Sequence, residues 1–104
     1  TGHGWRKLMR AKREFSYVID NIPDVPEELL LIQEVSGNDD QEMYGNFNMG
    51  VGFALFIPEQ DVLTATRVIA YNHGLFSFDA GRVEEGKKQV VIKPKNITFG
   101  GESL

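Results

Sequence analysis

Residues 48–57, NMGVGFALFI, carry no charge on either side of a two-residue alternation. Val51, Phe53, Leu55 and Ile57 fall on one face of a strand, and Gly52, Ala54 and Phe56 on the other. A strand with water on one face alternates apolar with polar residues. A strand apolar on both faces belongs inside a sheet that is covered on both sides. This stretch therefore predicts a central strand, and with it a sheet carrying helices. Pro58 then opens a predicted helix, PEQDVLTATRVIAYNHG, with acids in its first turn and Gly74 at its end.

Other segments arrange themselves around that strand. Residues 1–4 read as a tight loop. In residues 5–13, Trp5, Leu8 and Met9 share one apolar stripe of a predicted helix, and Arg6, Arg10 and Arg13 share a second face. EFSYVID alternates and predicts a strand. Pro26 suits the first turn of a helix over EELLLIQEVS, which Gly37 stops. Asn38 or Asp39 caps a short helix that follows. LFSFDAGRVEEG and KKQVVIKP predict a strand pair joined near Glu85 and Gly86, with Glu84 and Glu85 on a solvated tip, and the tail adds one short strand. The predicted fold class is α+β, a mixed β-sheet with packed helices, in one domain spanning residues 1–104.

Composition removes several classes of function. The net charge of −4 argues against nucleic acid and anionic membranes as partners. There is no cysteine, so disulfides, thiolate metal sites and cysteine nucleophiles are excluded. No apolar run approaches the ~20 residues of a membrane span. His3 and His73 stand too far apart for a metal motif, and no metal site is expected.

The basic charge is unevenly placed. Five of the eleven Lys and Arg residues lie in the first thirteen positions, TGHGWRKLMRAKR, which hold no acid. A glycine turn running into a helix presents free backbone N–H groups, where phosphates bind. Arg6 and Lys7 in that first turn oppose the helix dipole by a few tenths of a kcal/mol. A bound anion would relieve the conflict, and so would side chains that simply reach solvent. His3, with a pKa near neutrality, suits a phosphate donor or a plain backbone partner. Further along, Gly50 and Gly52 allow close approach of a backbone or ligand, and Asn46 and Asn48 offer side-chain amides beside them. Thr1 lacks any evident base that would make it a nucleophile. A start without Met suggests a piece of a longer protein.

Two blocks together, Glu42-Met43-Tyr44 with Phe47-Asn48-Met49-Gly50-Val51-Gly52, and the opening Thr1-Gly2-His3-Gly4-Trp5, resemble the C-terminal domain of the aminoimidazole ribonucleotide synthetase family, the phosphoribosylformylglycinamidine cyclo-ligases. The resemblance implies that domain's fold, truncated at its N-terminal side and separated from an ATP-binding domain. It implies ATP-dependent ring closure of formylglycinamidine ribonucleotide, a phosphorylated ribonucleotide substrate, ATP and Mg²⁺ bound mainly outside this chain, a cytoplasmic location and a homodimer. Thr1, Gly2 and Gly4 carry over onto the family's turn, and Phe47, Asn48, Gly50 and Gly52 onto its second block. With His3, Arg6 and Arg10 from the basic stripe, the expected phosphate-binding set is Thr1, Gly2, His3, Gly4, Arg6, Arg10, Asn48 and Gly50. No catalytic residue is assigned. The family's middle Gly is His3 here, its next Leu is Trp5, and its Asn, Pro and Arg positions read Leu8 to Ala11. These departures leave open a differently specific or non-catalytic phosphometabolite-binding domain on the same fold.

Overall fold

The computed structural model describes residues 2–104. It contains four strands, β1 (Phe15–Ile19), β2 (Gly81–Glu85), β3 (Gln89–Ile92) and β4 (Ile97–Gly100), and three helices, α1 (Glu27–Ser36), α2 (Asp40–Asn46) and α3 (Val62–His73), with short 3-10 turns between them. The strands form one mixed sheet in the order β2-β1-β3-β4. β1 runs parallel to β3, Tyr17 opposite Val90, and antiparallel to β2, Tyr17 opposite Val83. The α+β class with a mixed sheet is therefore observed.

Period two explains how the sheet is buried. Tyr17 and Ile19, Val90 and Ile92, and Ile97 and Phe99 share the face that meets Trp5, Met9, Met43, Tyr44 and Met49. Met9, Met43, Val90 and Ile92 are fully enclosed. The layer over that face is the segment Gly4–Arg10 together with α2. Gly4–Arg10 is a 3-10 helix rather than the expected longer helix through residue 13. Its first bond runs from the Arg6 N–H to the His3 carbonyl, and no side chain caps it. A short uncapped segment cannot offset the cost of nucleating an α-helix, and the tighter winding sets Trp5 and Met9 down on the sheet.

Local signals placed the helix stops well, although Pro58 opens a 3-10 turn, Glu59–Asp61, and α3 itself begins at Val62. α1 and α3 stop at Gly37 and Gly74, both left-handed. Asp39 and Glu42 form a reciprocal capping box at the start of α2.

Two strand expectations are overturned. Residues 51–57 form no strand, and Phe53 is 83% exposed. Alternation describes faces, whereas a strand also requires a neighbouring backbone to receive its N–H and C=O groups, and none of the four strands pairs with this segment. Second, β2 and β3 are not paired with each other. β1 stands between them, because β1 is buried along most of its length while β2 is exposed throughout and charged, as an edge strand must be. Residues 86–88 cross the end of β1, spanning two strand spacings of about 4.8 Å each. Helix cover is also narrower than expected. α1 and α3 contain no buried residue, and the radius of gyration is 14.3 Å, against roughly 13 Å for a fully compact body of this length.

One core group lacks a partner. Tyr44 is 1% exposed, and its hydroxyl makes no hydrogen bond among the described residues. Burial, and then the nearby Asp40 carboxylate, push its pKa above the usual 10. Tyr44→Phe is expected to leave stability unchanged or raise it by up to about 1 kcal/mol, since no bond is lost and a desolvated hydroxyl is removed. The folded state prefers the neutral phenol. Its contribution is present below pH 10 and lost as pH rises through the folded value, so the variant should also lose stability less steeply above pH 10. Denaturant unfolding at pH 7 and 10.5 checks both, and a loss above 1 kcal/mol at pH 7 would show that the hydroxyl has a partner after all.

Candidate functional site

The two sequence blocks converge. Gly4 sits with φ +50° against the end of α2, so close that a Cβ there would lie 2.3 Å from the Tyr44 carbonyl oxygen and 2.8 Å from that of Phe47. Trp5 Nε1 donates to the Asn48 carbonyl at 3.0 Å, joining residues 43 positions apart. The Trp5 and Tyr44 rings lie 5.7 Å apart and tilted by 60°. This packing brings the turn at residues 2–4 alongside residues 45–50.

The second block is itself a tight turn. Met49 and Gly50 are both left-handed, at φ 53° and 93°. The Asn48 side-chain oxygen accepts from the Gly50 N–H at 2.8 Å, and its carbonyl accepts from the Val51 N–H at 3.0 Å. Left-handed backbone is costly for a residue with a Cβ. Met49 tolerates it because its side chain is fully buried in the core. Gly50 presses on Pro26, where a Cβ would come within 2.8 Å of the ring. Gly50 thus has the close approach expected of it, but to Pro26, the residue that precedes α1. Gly52 has nothing nearby.

Arg6 lies at the centre of this junction. Its Nε donates to the Gly45 carbonyl at 2.8 Å and to that of His3 at 3.3 Å. Nη1 donates to the Ser103 carbonyl at 2.6 Å, and Nη2 to the Gly2 carbonyl at 3.4 Å and to Asn46 Oδ1 at 3.2 Å. The conflict between a cation and a helix start is resolved by protein acceptors. The guanidinium turns toward the carbonyl end of α2, where positive charge is favoured. Lys7 follows the simpler course and is exposed.

Of the expected set, Gly2, His3, Gly4, Arg6, Asn48 and Gly50 are brought together, and Thr1 lies outside the described residues. Arg10 is not brought in. It is exposed at the far end of the 3-10 helix, about 12 Å along the axis from Gly4 at the usual rise. Trp5, Asn46 and Met49 complete the junction. Trp5 was legible only as a core residue, because nothing in its helical spacing announces an indole N–H bonded to a distant turn. Among the described residues, no group of three or more His, Asp or Glu could hold a metal ion, and no helix is long and apolar enough to cross a membrane.

Comparison with known proteins places this geometry in context. The chain is 35% identical over 85 residues to the phosphoribosylformylglycinamidine cyclo-ligase of Methanococcus maripaludis strain C7, covering 82% of this chain and 24% of that protein. It is 32% identical over 111 residues to the cyclo-ligase of Methanococcus vannielii, covering all of this chain and 30% of that protein. With the enzyme of the same name from Methanocaldococcus jannaschii it shares 39% identity over 61 residues. The matched stretches thus span between 17% and 30% of the length of these relatives. No family model matches it.

Proposed function

Because this chain is a homologue of one segment of the phosphoribosylformylglycinamidine cyclo-ligases, we propose that it forms most of the C-terminal, substrate-closing domain of an ATP-dependent cyclo-ligase of purine biosynthesis. The protein carrying it converts formylglycinamidine ribonucleotide to aminoimidazole ribonucleotide, as a cytoplasmic homodimer. The observation that supports this reading is the meeting of the two family blocks, with Gly4 seated against residues 44–47 and Trp5 bonded to Asn48.

In this reading the substrate phosphate is bound beside the turn at residues 2–4, with His3 as a side-chain donor, and the Asn48 amide contributes from the facing turn. Arg10 is left out of the direct contacts, given its place at the far end of its helix. ATP and Mg²⁺, which the resemblance implies, are assigned mainly to parts of the protein outside this chain, and no step is routed through them here. What this domain contributes is closure over the substrate, which positions the reacting groups and excludes water.

The test is an assay of the full-length protein with ATP, Mg²⁺ and formylglycinamidine ribonucleotide, following ADP release and formation of the aminoimidazole product. Product formation is expected, with His3→Ala raising KM or lowering kcat. A folded, ATP-binding protein that makes no product would overturn the cyclo-ligase assignment and favour a different phosphorylated ligand for the altered turn.

A further inference from the structure

We propose that Arg6 is a positioning residue, a clamp that holds the glycine turn in its binding shape and ties it to the C-terminal residues, rather than a contact to the ligand. The proposal rests on the site assignment above for its consequence in binding, and on geometry alone for the clamp.

The acceptors around Arg6 come from three separate places in the chain. Gly2 and His3 belong to the turn, Gly45 and Asn46 to the end of α2, and Ser103 to the last 3-10 turn, 97 positions away. Every nitrogen of the guanidinium points at a protein oxygen. Four of the five acceptors are backbone carbonyls, which retain their positions whatever the side chains do. A planar fork of donors suits such a divergent set, whereas a lysine ammonium is a compact point charge that cannot reach all of it. A guanidinium engaged in this way has little left to offer a phosphate. It can, however, decide where the N–H groups of the turn point. Ser103 is fixed in turn, its hydroxyl donating to the Gly100 carbonyl at 2.7 Å at the end of β4. The clamp therefore connects the turn to the sheet through Arg6 as well as through Trp5.

The experiment uses the chain itself, with ribose 5-phosphate as the probe. Four variants are compared with the parent chain: Arg6→Ala, Arg6→Lys, a chain ending at Glu102, and that truncation combined with Arg6→Ala. In the parent, the Arg6 Nε–H should give an exchange-protected nuclear magnetic resonance that ribose 5-phosphate does not move, while the backbone amides of residues 2–4 do move. Arg6→Ala should weaken ribose 5-phosphate binding at least fivefold, with Arg6→Lys recovering less than half of the loss. Truncation should lower affinity and Tm in the same direction, and the combined variant should lose less Tm than the sum of the two single losses, because both remove the same Arg6–Ser103 link. An Arg6 resonance that shifts with ribose 5-phosphate, full recovery by lysine, or additive losses of Tm would each overturn the clamp. Should the parent chain bind no ribose 5-phosphate, the site assignment fails, and the non-additivity of Tm still decides the clamp.

Discussion

Gly4→Ala is expected to cost more than about 3 kcal/mol, enough to unfold a large fraction of a marginally stable domain. Two effects add. A Cβ at φ +50° is in the left-handed region, at a cost of roughly 1–2 kcal/mol. That Cβ would also meet the carbonyls of Tyr44 and Phe47 and the N–H of Asn46, all within 2.9 Å and all backbone. Flexible side chains can give way to such an intrusion, but the end of a helix cannot without moving Met43 and Tyr44 out of the core. Gly2→Ala provides the control. Gly2 is also left-handed, at φ +78°, yet has nothing within 4 Å, so it should lose only the conformational part, about 1–2 kcal/mol. Denaturant unfolding of both variants separates the contributions. Equal losses would mean that the close packing of the turn on α2 is not real.

Trp5→Ala should be comparably severe, at about 3–5 kcal/mol for an enclosed aromatic ring. Trp5 is 7% exposed, packs on Tyr44 and bonds to the Asn48 carbonyl. Trp5→Phe divides that loss. Phenylalanine retains most of the burial but not the N–H, and the Asn48 carbonyl keeps the Val51 N–H as a partner. The loss in Trp5→Phe should then be about 1 kcal/mol. The same variant should loosen the turn at residues 48–50, visible as faster amide exchange at Gly50. A Phe variant as damaged as the Ala variant would indicate that ring shape, and not burial with one hydrogen bond, governs the position.

Legibility differed between the parts of the fold for physical reasons. The capping box at Asp39 and Glu42, the glycine stops at Gly37 and Gly74 and the alternation of β1 are local. Each depends on neighbours within a few residues and could be read from them. The pairing of β1 between β2 and β3 depends on residues about seventy positions apart, and no local pattern encodes it. The candidate site divided in the same way. Its two blocks were recognisable as motifs, with Gly4 read as part of a turn and Gly50, together with Gly52, as a place of close approach, which Gly50 has and Gly52 lacks. The role of Arg6 was hidden, since its acceptors are carbonyls, which every residue type carries alike.

By itself the sequence determined which residues are apolar, where α1 and α3 stop, where α2 is capped, and that an α+β fold with a mixed sheet forms. Tertiary structure alone decided that the blocks meet, that Arg6 turns inward to carbonyls while Arg10 remains in solvent, and that residues 51–57 lie outside the sheet. The reason is common to all three. Side-chain character is a property of each residue, whereas a hydrogen-bond partner or a close contact belongs to a pair, and the pair is set only when the chain closes on itself.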